Sequence, residues 1–324
     1  MIMSGKQRTT IRDVAAAAGV SVTTVSDALS GKGRLPEETR RKVRAAADRL
    51  GYRPSAIALG LRDRGLGLVG LCIVPAGEAM LTGVEYWATI VTHASQTLLS
   101  EGLAPVLLPH SVDLLSRLKI PLDGVIVVDP LKNDPVLTFF EKTKIRYFTI
   151  GRDLGRDNQS WVDDDIAKGM ERLLEQTLAP GTDLAFVTIG PEKSYVADTL
   201  SGMQHWASVN RSAIKIHHCK NTERRNIDAV VGRAVEEGAK AIVAQHDRLA
   251  LPLLAALKVR KLQNEVRLLS ATDSPEFEQV LPPVSAIRLH PTQLADKAAR
   301  AVIDMIRGRS DQKKTFLVVE TVVR

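Results

Sequence analysis

Cysteine is nearly absent: two in 324 residues, Cys72 and Cys219, far apart and in no CxxC spacing. That excludes a disulfide-built miniprotein and a cysteine zinc module, and it points to a reduced, cytosolic chain. Aromatic residues are few, at 4%. No run of about 18 apolar residues occurs, which excludes a membrane-spanning helix and membrane partners. The opening MIMSGKQRTT has neither the apolar stretch nor the small-residue cleavage site of a secretory leader. Seven histidines are present, and no Ser/His/Asp or Cys/His order accompanies a GxSxG elbow. The chain therefore reads as a non-enzyme.

What is there is an ordinary globular composition, 44% hydrophobic and 25% charged, in a length that favours two or more domains. The charge is unevenly placed. Residues 1–64 hold 13 Lys+Arg against 6 Asp+Glu and so carry the whole +7, while the remaining 260 residues hold 31 of each. A basic module on a neutral body suggests a polyanion-binding head.

Within that head, Ile11, Val14, Ala15 and Ala18 fall on one helical face, with Thr10 as cap, Asp13 in the capping-box position and Gly19 as terminator. Ser21 can cap a second helix, in which Val25, Ala28 and Leu29 point inward and Val22, Thr23, Ser26 and Asp27 outward. Gly31 and Gly33 break the chain. Pro36, Glu37 and Glu38 suit the start of a third helix with Val43, Ala46, Ala47 and Leu50 as its apolar face. Two short helices around a glycine turn, then a third, make a helix-turn-helix pattern. Short outward side chains let the second helix sit deep in a major groove. The hydroxyls of Ser21, Thr24 and Ser26 can reach phosphates, and Asp27 can accept from a cytosine amino group.

The stretches IRDVAAAAGVSVTTVSDALSG (11–31) and YRPSAIALGL (52–61) together closely resemble the head and hinge of the LacI-type bacterial transcription regulators. The hinge reads as a short helix capped by Ser55, marginal in isolation and weakened by Gly60. The resemblance implies that it orders when two copies pair on DNA, with Leu61 wedged into a central minor-groove step, Ala58 beside it and Ile57 pairing the hinges. It also adds Thr10, Arg34, Thr39 and Tyr52 to the expected DNA contacts. Residues 1–51 are then the head, 52–65 the hinge helix and linker, and 66–324 an effector-binding and dimerisation body.

Beyond Arg64, apolar runs at 68–74, 104–108, 124–128 and 147–150 read as buried strands, with helices at 83–101, 134–143 and 165–178. A second series has strands at 184–189, 214–217, 241–244 and 267–271, with helices near 202–209, 227–237 and 249–259. A helix at 293–307 and a last strand at 316–323 follow. Two such series imply an α/β body of two doubly wound parallel-sheet lobes, in addition to the small all-α head. LDGVIVVDP, RYFTIGRD, DLAFVTIGP and the RGR-bearing last helix resemble the same family's effector module, which is like type I periplasmic sugar-binding proteins. The resemblance implies lobe 1 at about 66–160 and 290–312, lobe 2 at about 161–289 and 313–324, and dimerisation through this body.

Three polar anchors depart from the family. Thr199 stands where an arginine usually precedes the glycine at 202, His246 where an asparagine precedes Asp247, and Thr272 where the first aspartate of a pair precedes Asp273. Thr199, His246, Asp247 and Thr272 are the candidate cleft positions, and the altered set argues against the usual sugar-diol recognition: either the ligand differs or the module is mainly a dimerisation scaffold. Three other motifs are discounted. GxGxxG at 65–70 precedes a strand rather than following one, so no dinucleotide and no other cofactor is expected. His217 and His218 would face opposite sides of a strand and make no metal site. Asp163, Asp164 and Asp165 read as a loop and helix cap.

The function expected is a homodimeric, sequence-specific transcriptional regulator, a repressor on a pseudo-palindromic double-stranded DNA operator. It would be cytoplasmic and nucleoid-associated, and open to control by a small-molecule effector of unknown identity. A solute-binding protein sharing the body fold and a nonspecific architectural DNA-binding protein are the competing readings.

Overall fold

The computed structural model describes residues 9–30, 35–52, 65–73, 84–309 and 313–324. By contact the chain divides into two units, residues 1–66 and 67–324. The smaller holds α1 (Ile11–Ala18), α2 (Val22–Ser30) and α3 (Glu37–Arg49). Its first helix starts on a reciprocal capping box: the Thr10 hydroxyl accepts from the Asp13 amide while the Asp13 carboxylate accepts from the Thr10 amide at 2.7 Å. Gly19 ends it at φ 64, a conformation that glycine adopts without steric penalty. Val14, Ala15, Ala18, Val25, Ala28, Val43, Ala46 and Ala47 form one buried core, with Leu29, Leu50 and Tyr52 packed at its margin.

The larger unit contains two six-stranded sheets. The first runs β11 (Lys314–Leu317), β5 (Trp161–Asp164), β4 (Tyr147–Ile150), β3 (Gly124–Val128), β1 (Leu68–Ile73) and β2 (Ala104–Leu108), all parallel. Helices α4 (Val84–Ser100) and α11 (Pro291–Ile306) cover one face, α5 (Val112–Leu118) and α6 (Pro135–Lys142) the other. The second sheet runs β12 (Glu320–Val322), β10 (Ser285–Arg288), β9 (Arg267–Ser270), β8 (Ala241–Ala244), β6 (Leu184–Thr188) and β7 (Ile214–His218). Here β12 is antiparallel to β10, so this sheet is parallel only in its other pairs. One face carries α7 (Ile166–Thr177) and α8 (Ser194–Asn210), the other α9 (Arg224–Glu236) and α10 (Asp247–Val259).

The lobe boundaries differ from the sequence reading in two places. Residues 161–164 form a strand of the first sheet rather than the start of the second lobe. The expected last strand is two: Lys314–Leu317 joins the first sheet and Glu320–Val322 the second, with the crossing at 318–319. The reason lies in WVDD, whose two aspartates look like loop but are buried with partners. Asp164 is 2% exposed and accepts from the amide and Nδ1 of His290, both at 3.2 Å. Asp165 caps α7, and its amide donates to the Leu317 carbonyl at 2.7 Å. These bonds tie the three places where the chain passes between lobes. The short helix Val112–Leu118 and strand Ser285–Arg288 were also not read from the sequence, being too brief to show a period.

Candidate nucleic-acid interface and interlobe cleft

On the head, α2 divides as its 3.6-residue spacing requires. Val25 and Ala28 are fully buried, Leu29 half-buried, and Ser21, Val22 and Thr23 exposed; Thr24, Ser26 and Asp27 are half-buried. Ser21 caps the helix: its Oγ accepts from the Thr24 amide at 3.1 Å and lies 2.8 Å from the Thr24 hydroxyl. The positive end of α2 is thereby presented beside two small exposed residues, an arrangement able to take a phosphate or approach base edges. Thr10 is exposed, and Thr39 half-buried in the first turn of α3. Tyr52 packs on the core. Arg34, Ser55, Ile57, Ala58 and Leu61 lie outside the described residues.

Of the four cleft candidates in the body, the structure bonds two, Asp247 and Thr272, to each other. The Asp247 amide donates to Thr272 Oγ1 at 2.7 Å, and that hydroxyl donates to Asp247 Oδ1 at 3.2 Å. His246 caps α10, its Nδ1 accepting from the Leu249 amide at 3.3 Å. Thr199 is fully buried in α8 and donates its hydroxyl to the Tyr195 carbonyl at 2.7 Å, so that proton is committed within the helix. Burial raises the Asp247 carboxyl despite bonds from the Arg248 amide and Thr272.

Burial, reinforced by the neighbouring Arg248 charge, pushes His246 down to about 4. A cap acceptor must be neutral, because a proton on Nδ1 would face an amide proton. The folded-state value lies below the unfolded one, so the stabilisation is present above about pH 6.5 and is lost as pH falls towards 4. Discounted for its partial solvent contact, the loss is about 2 kcal/mol. His246→Asn keeps a cap acceptor without titrating. Urea melts at pH 7 and pH 4.5 should show a smaller acid loss in this variant; an equal loss would remove His246 from the account.

The groups that dominate the cleft were not singled out as ligands from the sequence. Arg152, just after β4 in the first lobe, donates from Nε to Asp163 Oδ2 at 3.1 Å and from Nη2 to Asp198 of α8 in the second lobe. Its guanidinium lies 5.4 Å from the Trp161 ring centroid and 5.0 Å from that of Phe316. Its backbone amide donates to Ser194 Oγ at 3.2 Å, and Ser194 Oγ donates to Asp163 at 3.0 Å. From the other side Lys193, 2% exposed, places Nζ 3.9 Å from Asp129 Oδ2 and 5.9 Å from the Trp87 ring. Trp87 Nε1 donates to the same carboxylate at 3.1 Å. Burial pushes Asp163 and Asp198 up, while Arg152 pulls both back.

Among the discounted motifs, the 65–70 glycines lead into β1. His217 is buried, and His218 is exposed with its Nδ1 2.7 Å from Thr188 Oγ1. Asp163 belongs to a strand and to the cleft, not to a loop. Burial pushes the Cys72 thiol up to about 12 and raises Cys219, leaving two unreactive thiols.

Comparison with known proteins gives a consistent result over both units. Residues 10–55 match the family described as bacterial regulatory proteins, lacI family, and residues 181–324 match the periplasmic binding protein-like domain. The chain is 25% identical to the HTH-type transcriptional regulator MalR of Staphylococcus xylosus, covering 97% of this chain and 96% of that one. It is 26% identical to the HTH-type transcriptional regulator CelR of Thermobifida fusca, covering 98% of each. Among solved structures, the lac repressor dimer bound to operator and the anti-inducer ONPF superimposes with a TM-score of 0.79 at 18% identity over 98% of each chain. A CelR–cellobiose complex does so at 0.69 and 22% identity, over 98% of this chain and 99% of that one.

Proposed function

We infer that this chain is a member of the LacI family of bacterial transcriptional regulators, and from that premise propose that it is a repressor binding a pseudo-palindromic operator as a homodimer, one head per half-site. The observation that carries the reading is the solvent-facing side of α2, where exposed Ser21, Val22 and Thr23 stand at the helix's positive end on the segment that holds the whole net charge. Ser21, Thr24 and Ser26, with Thr10 and Thr39, are assigned to phosphates, and Val22, Thr23 and Asp27 to base edges. Arg34, Tyr52 and the hinge residues Ser55, Ile57, Ala58 and Leu61 complete the set on family resemblance. The protein acts in the cytoplasm, at the nucleoid. A small-molecule effector is assigned to the interlobe cleft, with Thr199, His246, Asp247 and Thr272 as the candidate positions.

Selection of bound sequences from a random duplex pool tests this, repeated with a panel of metabolites. Enrichment of one two-fold-symmetric motif is the expected result; recovery of unrelated sequences would mean a nonspecific architectural protein. The same binding should be steep in salt. With about 6–10 phosphates engaged, affinity should fall about 10³-fold or more between 50 and 200 mM salt. A flat response, read by fluorescence anisotropy on the selected duplex, would contradict the assignment of hydroxyls and cations to phosphates.

A further inference from the structure

The two cations of the cleft, half-buried Arg152 and buried Lys193, cross it in opposite directions. Arg152 belongs to the first lobe and reaches Asp198 of the second; Lys193 belongs to the second and reaches Asp129 of the first. Ser194 adds a third link, taking the Arg152 amide proton and giving its own to Asp163. The links rest on prepared supports. Arg152 rests against a pair of packed aromatic rings and a first-lobe carboxylate, so its guanidinium is oriented before it meets Asp198. Asp129 sits at φ 54, a conformation that disfavours a non-glycine residue, and its carboxylate is fixed by the Trp87 indole. A third, exposed pair, Lys132 of the first lobe and Glu192 of the second, also spans the lobes at 3.9 Å. Meanwhile the anchor positions at 199, 246 and 272 carry none of the family's usual arginine, asparagine and aspartate, and the Thr199 hydroxyl proton is already used within its helix.

We infer that this body carries its own latch: Arg152 and Lys193 draw the lobes together across the cleft without a ligand, and an effector acts by competing with Asp198 and Asp129 for those two cations. Closure is then the resting state of the module. A competing ligand must present an anionic or strongly accepting group, because only such a group replaces a carboxylate at a guanidinium or ammonium. This rests on reading the body as the regulatory module, but its test is made on protein alone.

The reporter is built in. The Arg152 amide donates across the cleft, so its hydrogen exchange measures closure directly. In the full-length protein without DNA, Asp198→Asn removes one partner's charge at constant shape, and Lys193→Met removes the opposite link. Each should speed exchange in peptides covering Arg152 and residues 190–198 by about tenfold, with strands 124–128 and 184–188 as protected as before. Unchanged exchange at Arg152 in both variants would overturn the latch. So would a uniform rise that includes the strands, since the groups would then hold the fold and not a closure. Adding inorganic phosphate or a sugar acid to the unmodified protein should reproduce the local rise, whereas a neutral sugar at the same concentration should not; the reverse order would overturn the assignment of ligand class. If the duplex selection finds no motif while these exchange results hold, the operator reading fails and the latch stands.

Discussion

Removing residues 1–66 will reduce operator binding to the background of a neutral protein, a loss of about 10³-fold or more, while residues 67–324 remain folded. The two halves of that result have separate causes. The head owns its core, from Val14 to Ala47, and its own caps at Thr10, Gly19 and Ser21. Among the described residues, the four clusters of the body consist of residues from Val69 onward. Cutting at the boundary therefore removes the whole positive excess and the exposed face of α2 and leaves every residue of those four clusters in place. Anisotropy on the selected duplex reads the first half, and circular dichroism with a thermal melt the second. A truncated body that still held operator would put the DNA contacts in the lobes.

Gly202→Ala is the point change with the largest expected effect on the body. A Cβ at this position would lie 2.2 Å from the Ala167 carbonyl oxygen and 3.0 Å from its carbon, both backbone atoms of α7 with no rotamer to move. In an open helix the same change stabilises by about 1 kcal/mol, because alanine is the better helix former. Here the sign reverses. Helix α8 must lift off α7, and the expected loss is about 3 kcal/mol, or about 8 °C in melting temperature for a unit of this size. The displacement should also reach the cleft, since α8 begins at Ser194 and carries Asp198, so faster exchange at Arg152 accompanies the lower melt. A variant as stable as the parent would show that the two helices are not in backbone contact.

Much of this architecture was legible because short-range rules sufficed. The head's helices follow from a capping box, a left-handed glycine and a 3.6-residue apolar spacing, all read within about ten neighbouring residues. The central strands were visible as uninterrupted apolar runs such as GVIVV, buried on both faces by helices. What escaped was shorter or disguised. Trp161–Asp164 pairs into the first sheet because Arg152, Ser194 and His290 satisfy its aspartates, and those partners stand between 11 and 126 residues away. The last strand splits because the chain must cross between lobes once more, which no periodicity announces.

The candidate site divides the same way. Ser21, Val22 and Thr23 are exposed because they share a helix with Val25 and Ala28, a local consequence of the spacing. Arg152, Lys193, Asp129 and Asp198 carry no such mark, since a lone charged residue in a line of sequence resembles any surface group. Composition, charge placement and periodicity by themselves determined the basic head, the paired lobes and the face of α2 that meets solvent, because each depends on neighbours along the chain. Only the tertiary structure decided that two cations cross the cleft in opposite directions. Burial and charge pairing arise between residues far apart in sequence, and they exist only once the sheets have brought those residues together.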